Sequence, residues 1–263
     1  PSLPSSGQSA NYLSNVGEIE NKGIELSVGL QLVDTKDWNV RLNASYNTNH
    51  NKVLSIGNAV PFAIGGFSSR TVQTVVAEGQ PVGFIRGYKA VLNSDNSLKE
   101  ILPLQNLGST LPTGYGNFSL SASYKNLSLM INGDYQYGAY VHSFDRQFRF
   151  SKGLKDGAIP EKALEGLDQG ANWLNFTNFF VEKSDFVKIR NIGISYDYKP
   201  EKYLKNINFG FNVYNPFAFT ASSVDPEAAL AGARSQGAVA VGGLNYSSYS
   251  TPRQYVGSIR ISF

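Results

Sequence analysis

Cysteine is absent from this chain, and the absence excludes two kinds of site. Without thiols the protein can form neither a disulfide framework nor a thiolate metal centre. Charged residues are also scarce, at 16% of the sequence, against roughly 25% in soluble domains. The formal net charge of +3 comes without a basic cluster, so nothing indicates a nucleic-acid-binding protein.

Long apolar runs are missing as well. No stretch approaches the roughly 18 consecutive apolar residues that indicate a transmembrane helix. The polar, turn-like start from Pro1 to Gly7 lacks the basic and apolar parts of a signal peptide. Aromatic residues, in contrast, reach 13% of the chain. These properties fit a soluble all-β protein and a membrane β-barrel equally well.

Apolar and polar residues alternate with a period of two along much of the chain, which is typical of strands with one apolar and one polar face. The alternation is clear in residues 23–33, 38–47, 117–124, 127–137, 207–214 and 255–263. The predicted strands are residues 18–33, 37–55, 70–77, 82–92, 115–124, 127–143, 185–198, 207–219 and 252–263.

Three features favour a membrane barrel over a β-sandwich. The strands run to about 9–13 residues, the length that a tilted membrane strand needs. The polar faces are rich in Asn, Ser and Gly rather than Lys and Glu, as suits a hydrated or plugged lumen. The apolar faces end in aromatic residues, which form girdles where a barrel wall meets lipid headgroups. These aromatics are Trp38, Tyr46, Tyr124, Tyr135, Tyr137, Tyr196 and Tyr198.

We therefore predict an all-β fold, an antiparallel transmembrane β-barrel of which this chain supplies about nine strands. The polar phase of two neighbouring strands gives the candidates for side chains that face the lumen. They are Asn117, Ser119, Ser121, Asn132, Asp134 and Gln136.

Short and long connections alternate, as they do between the periplasmic turns and extracellular loops of such barrels. The predicted periplasmic turns are residues 34–36, 78–81, 125–126 and 198–206. The predicted extracellular loops are residues 56–70, 93–114, 144–184 and 221–250. Nine strands are an odd number, so a chain that ends in the periplasm must begin outside the cell. A closed barrel cannot start there, because its first strand must pair with its last. Either the chain is part of a larger protein or one strand is misjudged, and the lack of a signal peptide favours the first explanation.

The loops offer little catalytic chemistry. No Ser/His/Asp arrangement or paired carboxylate is evident, so we predict neither an enzyme nor a cofactor. Asp225 and Glu227 could bind a metal, but we favour a helix over 225–230 that Asp225 caps. Asp95 lacks a liganding Glu at calcium-loop spacing, which favours a plain turn. His50 and His142 are expected at loops or the barrel rim.

Three other segments complete the prediction. Residues 159–165 fit a short helix with Pro160 in its first turn. Residues 237–243 are rich in Gly but lack the Lys-Ser/Thr of a phosphate loop, so we predict a mobile loop. Lys188 and Arg190 share the apolar phase of Phe186 and Ile192. Either a bulge shifts the phase there, or the two cations meet lipid headgroups.

Several motifs, in order along the chain, resemble those of SusC/RagA-type TonB-dependent transporters. The most specific is residues 15–26, Asn-Val-Gly-Glu-Ile-Glu-Asn-Lys-Gly-Ile-Glu-Leu. The others are residues 78–88, 124–127, 186–192, 215–220, 225–227 and 251–255, with the terminal Phe263. Together they cover nearly the whole chain.

The resemblance implies residues 1–263 as the C-terminal part of a 22-stranded barrel, without the plug domain. Such transporters lie in the outer membrane of Gram-negative bacteria. They import oligosaccharides or peptides with a SusD-like surface lipoprotein as a lid, and TonB-ExbB-ExbD acts through the plug. Phe263 is the expected signal for the barrel-assembly machinery, although it could instead be one more girdle aromatic. The alternatives are a passive porin or receptor barrel, and a soluble carbohydrate-binding or adhesion module.

Overall fold

The computed structural model describes residues 17–66, 72–200, 204–227, 243–246 and 248–263. Its strands form three separate sheets. In chain order they are β1 (Glu18–Asp34), β2 (Trp38–Ser55), β3 (Phe62–Gly66), β4 (Gln73–Val76), β5 (Phe84–Leu92), β6 (Leu98–Ser109), β7 (Gly114–Tyr124), β8 (Leu127–Tyr137), β9 (Tyr140–Ser143), β10 (Val181–Lys183), β11 (Phe186–Tyr198), β12 (Asn206–Thr220), β13 (Leu244–Asn245) and β14 (Gln254–Ser262).

The largest sheet, called the wall sheet here, has seven strands in the order β1-β2-β7-β8-β11-β12-β14. Every pairing in it is antiparallel. The register puts like side chains beside each other: Leu42 pairs with Leu120, Leu120 with Ile131, and Ile131 with Ile192. Residues of one phase therefore form continuous apolar rows across the sheet, and residues of the other phase form polar rows.

The apolar face of the wall sheet is open. Ile24 in β1 is 68% exposed and Ile259 in β14 is 67% exposed, and Leu26, Ile194 and Phe211 are exposed as well. A soluble sandwich would bury such a face against a second sheet. An exposed apolar surface of this extent marks contact with a membrane or with another protein.

Aromatic side chains lie at both ends of this apolar face. At the end with the tight turns, the rings of Trp38 and Tyr124 have centroids 4.5 Å apart. At the opposite end, the hydroxyls of Tyr46 and Tyr137 are 2.7 Å apart. Gly116 makes room for this second group, because a Cβ there would lie 2.7 Å from the Tyr135 hydroxyl. The chain thus forms two aromatic levels with aliphatic residues between them.

The segment between β2 and β7 folds into a second, four-stranded sheet in the order β3-β4-β5-β6. β3 and β4 are only five and four residues long, and buried apolar residues of this sheet pack into small clusters with neighbouring segments. Val76 packs with Val53 and Ile56 at the end of β2, and Ile85 packs with Val72 and Leu244. This sheet is therefore fixed to the loop end of the wall sheet.

The segment between β8 and β11 adds a three-stranded sheet, β10-β9-β13, and several helical turns. The helices are α1 (Phe144–Ser151), α2 (Gln169–Asn172) and the 3-10 helices Glu161–Leu164 and Trp173–Phe180. Ser143 caps α1, and Asp168 caps α2 by accepting a hydrogen bond of 2.8 Å from the Ala171 amide. Phe150, Phe176 and Phe180 form the buried centre of this unit. Among the described residues, no helix is long and apolar enough to cross a membrane.

Partial, antiparallel barrel-type architecture is confirmed, but several strands differ from the prediction, among them β3 and β6, which lie in segments predicted as loops. Residues 70–77 and 82–92 were predicted as wall strands, yet β4 and β5 belong to the four-stranded sheet. The predicted strand 127–143 breaks at Gly138, whose φ is +83° and whose amide donates to Asp185. Seven strands, rather than nine, make up the described wall sheet.

The predicted periplasmic turn at residues 78–81 is also wrong. The Gly79 amide donates to the Val53 carbonyl at 2.8 Å, and the Val53 amide donates to the Gln80 carbonyl at 2.9 Å. Val53 lies at the end of β2 farthest from Trp38. Since the Trp38 end carries the tight turn to β1, residues 78–81 belong with the long loops at the opposite end.

Candidate functional site

The polar face of the wall sheet is the candidate site. Its rows are set by pairs such as Asn117 with Asp134, Ser119 with Asn132, and Ser121 with Met130. The Asn43 amide donates to the Ser119 hydroxyl at 3.2 Å, which extends the polar network into β2. The six predicted lumen candidates all lie on this one face. That the face lines a lumen stays a prediction.

A β-bulge explains why Lys188 and Arg190 broke the alternation. The register of β11 shifts between Ile189 and Asn191 against both of its neighbours, β8 and β12. Residues before the bulge therefore change face relative to residues after it. Lys188 pairs with Asp134 on the polar face, whereas Ile192 pairs with Ile131 on the apolar face. Of the two explanations left open by the sequence, the bulge is the one that the structure shows.

The bulge brings Lys188 and Arg190 into a network of ion pairs with three carboxylates. The Lys188 Nζ is 2.6 Å from Asp225 Oδ1 and 2.6 Å from Glu227 Oε2. Arg190 contacts Glu227 at 2.6 Å and holds Asp134 through two guanidinium nitrogens. Lys188 is only 5% exposed. A lysine so buried is stable only because both carboxylates compensate for its lost hydration.

Asp225 and Glu227 belong to the start of the connection after β12, so the network ties this loop to the wall. Burial alone would raise the pKa of each carboxyl group, but hydrogen bonds from Lys188 to both groups and from Arg190 to Glu227, with the charges of the two cations, outweigh it. The pKa of Asp225 and that of Glu227 therefore both lie below their ordinary values. The Asp225 carboxylate also accepts the Glu227 amide at 3.1 Å, as the predicted cap requires. Residues 228–230 of the predicted helix lie outside the described residues.

Arg146 continues the ionic contacts into the helical unit. Its guanidinium binds Asp156 and Glu182, and it donates to the Ser223 hydroxyl at 3.3 Å. Glu182 in turn accepts the Ser223 amide. The connection after β12 is therefore held from two sides, by wall strand β11 and by the loop unit around α1.

Two cavities flank the ion-pair network. One of about 250 Å³ is lined by Lys188, Arg190 and Asp225, with Ser222 among its other walls. A shallower one of about 280 Å³ is lined by Tyr115, Asp134, Gln136, Phe186 and Glu227. Both are lined by residues near the loop ends of the wall strands.

The remaining single residues have structural roles. Asp95 makes the predicted turn, accepting the Ser97 amide at 3.0 Å and pairing with Lys162 at 2.7 Å, which holds the pKa of its carboxyl group below the ordinary range. His50 is exposed at the loop end of β2. His142 was expected at a rim but is fully buried in β9, where it contacts Gln147. Burial lowers the pKa of His142 to about 4.

Two helix and loop predictions have mixed outcomes. The predicted helix at 159–165 is present as the short 3-10 helix Glu161–Leu164 that follows Pro160. The predicted mobile loop at 237–243 lies outside the described residues except for Gly243. In the part of the chain that the structure describes, no group of three or more His, Asp or Glu residues is arranged to hold a metal ion.

Comparison with known proteins gives concordant results. No family model matches the chain. The chain is 24% identical over 99% of its length to TonB-dependent receptor P3 of Formosa agariphila. It is likewise 24% identical over 96% of its length to TonB-dependent receptor P26 of that organism. The chain resembles a TonB-dependent receptor. It spans about 30% of the length of these relatives.

Solved structures agree with this receptor fold. The structure of the RagAB peptide transporter matches 100% of this chain with a TM-score of 0.70 and 22% identity. The RagAB peptide importer in its open-open state matches with a TM-score of 0.71 and 21% identity. The chain covers 31% of each matched chain. The resemblance to a TonB-dependent receptor that the sequence motifs indicate is thereby confirmed, and the solved structures agree with the expected fold.

Proposed function

We propose that this chain is the C-terminal wall of an outer-membrane, TonB-dependent nutrient importer. The observation that carries the proposal is the two-faced wall sheet, with one open apolar face and one polar face rich in Asn and Ser. In a closed barrel the apolar face contacts lipid and the polar face, with Asn117, Ser119, Ser121, Asn132, Asp134 and Gln136, lines the lumen.

The spacing of the aromatic levels supports a membrane location. Along β7, Tyr124 and Gly114, the residue opposite Tyr137, are ten residues apart. At about 3.3 Å per residue and a tilt of about 40°, this corresponds to a height of about 25 Å. The apolar band of outer-membrane barrels has about that height. A soluble carbohydrate-binding module would not be expected to combine this spacing of aromatic levels with exposed Ile24 and Ile259.

The whole importer needs partners beyond this chain. Energy coupling requires a plug domain that contacts TonB-ExbB-ExbD. The two extra sheets at the loop end offer a platform on which a SusD-like surface lipoprotein can sit, and the RagAB neighbours support this arrangement. Oligosaccharides and peptides are the candidate nutrients. At the other end, the open edge of β14 and Phe263 are available to the barrel-assembly machinery.

Fractionation and conductance of the full-length protein test the proposal. We expect it in the outer membrane as a heat-modifiable barrel that co-purifies with a surface lipoprotein. In a planar lipid bilayer it should stay closed, because the plug blocks the passage through the lumen. Recovery in the soluble fraction would contradict a membrane barrel. A steady open channel would favour the passive porin over energy-coupled import.

A further inference from the structure

Two tyrosines stand apart from the aromatic levels because they lie on the polar face. Tyr115 pairs with Gln136 and has the same phase as Asn117, and it is 40% exposed. Asn212 lies beside Gly193 on the polar face. Tyr214, two residues later in the same strand, therefore lies on that face too, and its side chain is 39% exposed. Exposed aromatic rings are otherwise characteristic of the opposite, apolar face.

The positions of the two rings can be read from the strand register. Tyr115 lies in β7 at the level of Gln136, and Tyr214 lies in β12 at the level of Asn191 and hence of Asn132 in β8. Three strand spacings of about 4.8 Å and four residues of about 3.3 Å separate them, which is about 20 Å along the sheet. The distance suits an oligomer with several units rather than a single small molecule.

The surface between the two rings is polar, and the charged side chains that the structure describes there are all in ion pairs. Asp134 and Glu227 are both bound to Arg190, and Lys188 is bound to Asp225 and Glu227. An anionic ligand would have to displace a carboxylate from Arg190, and a cationic ligand would have to displace the cation. The neighbouring Asn117 and Asn132 side chains offer amide donors and acceptors instead.

These features select an uncharged ligand with many hydroxyl groups. An exposed tyrosine ring presents an electron-rich face on which the C–H side of a sugar ring can stack. Amide groups between the rings can pair with the sugar hydroxyls. We propose that Tyr115 and Tyr214 are the two ends of a binding track for a neutral oligosaccharide on the polar wall. This rests on the proposed function, in which the same face lines the lumen.

A peptide fits this track less well. Its apolar side chains would need pockets, and the aromatic residue between the two tyrosines, Phe186, is only 6% exposed. Lys188 and Arg190 both lie over the Phe186 ring, at 5.0 and 5.8 Å from its centroid, so the ring already has partners. Charged side chains of a peptide would meet the same saturated ion pairs as any other charged ligand.

The test uses the purified full-length receptor and an array of neutral, sulfated and uronic-acid-containing oligosaccharides, with a random peptide pool measured in parallel. Tyr115→Ala and Tyr214→Ala should each weaken binding of a neutral oligosaccharide about three- to tenfold, as expected for one ring contact. Tyr115→Phe and Tyr214→Phe keep the ring and should retain most of the affinity. Tyr196→Ala, on the apolar face, is the matched control and should bind as the unchanged protein does.

Three results would overturn the track. They are binding of charged oligosaccharides or peptides only, no binding to any neutral oligosaccharide, and alanine variants that lose thermal stability without losing affinity. Outer-membrane fractionation of the same proteins separates this failure from failure of the proposed function. A receptor that inserts and imports normally, but binds independently of both tyrosines, contradicts only the track.

Discussion

Neighbouring residues Met130 and Ile131 in β8 allow the two faces of the wall to be compared at one level of the sheet. Ile131 lies in the apolar row with Leu120 and Ile192, whereas Met130 lies on the polar face opposite Ser121 and Gly193. Met130 is 48% exposed and lines a polar cavity of about 460 Å³. Both side chains are apolar, so hydrophobicity alone predicts that arginine is equally harmful at both positions.

The position of Ile131 sets the size of the expected effect. It is four residues from Leu127, at the Tyr124 level, and six from Tyr137. At about 2.5 Å of height per tilted residue, it lies about 10 Å from one aromatic level and about 15 Å from the other. An arginine facing lipid near mid-bilayer costs about 2–4 kcal/mol. That reduces the ratio of folded to unfolded protein by about 30-fold to about 700-fold.

The assay is refolding of the full-length protein into lipid vesicles over a series of urea concentrations, with the folded fraction measured by heat-modifiable gel mobility. Ile131→Arg should need markedly less urea to unfold than the unchanged protein. Met130→Arg should change stability by less than about 1 kcal/mol, because its side chain lies on the polar face opposite Ser121 and Gly193 and not against lipid. Equal destabilisation by the two substitutions, or a larger effect at Met130, would refute the assignment of the faces.

Three further predictions concern topology, pH and assembly. Single cysteines introduced at Lys36 and Asn126 in the full-length protein should stay unlabelled by an impermeant thiol reagent on intact cells, whereas one at Lys155 should react. Labelling at Asn126 but not at Lys155 would reverse the topology. Burial holds the pKa of His142 in the folded protein at about 4, below the value of 6.5 of an exposed histidine. As the pH falls, the unfolded chain therefore takes up a proton before the folded protein does. The free energy of unfolding should decrease by about 3 kcal/mol between pH 6.5 and pH 4. Hydrogen exchange in residues 140–183 measures this loss, which His142→Gln should remove and the exposed control His50→Gln should leave in place. Deleting Phe263 should leave the full-length protein in the periplasm if it is an assembly signal; normal insertion with a slightly lower melting temperature would leave only a girdle role.

The long wall strands could be predicted because each carries one apolar and one polar face over many residues. A slip of one residue would turn all side chains to the wrong side, so the pattern fixes both the strand and its register. This is why Asn117 and Asp134, which are far apart in sequence, were correctly expected on the same face. The tight turns at 34–36 and 125–126 followed from the same boundaries.

The loop sheets were misassigned because periodicity does not reveal where a strand is located. Residues 73–76 and 84–92 form real strands, but their apolar side chains pack against Val53 and Leu244 rather than against lipid. The strand over 98–109 was missed since Pro103 and Gly108 interrupt its pattern. A short apolar strand looks the same in both settings, and only its tertiary partners distinguish them.

The ion-pair network lay beyond sequence reasoning for a different reason. Lys188 and Asp225 are 37 residues apart, and their contact depends on a bulge of one residue at Arg190. The sequence signalled only that two cations stood in an apolar phase. Tyr115 could have been noticed, because it shares the polar phase of Asn117 and is aromatic where its neighbours are amides and hydroxyls.

Energy-coupled import is the central claim, and nutrient-dependent growth tests it most directly. A host strain lacking the full-length gene would be grown on a panel of oligosaccharides and peptides as sole carbon sources. It would then be complemented with the intact receptor or with a version lacking the TonB-contacting segment. We predict that growth on at least one nutrient is lost on deletion and restored only by the intact receptor. Equal restoration by both versions would contradict it.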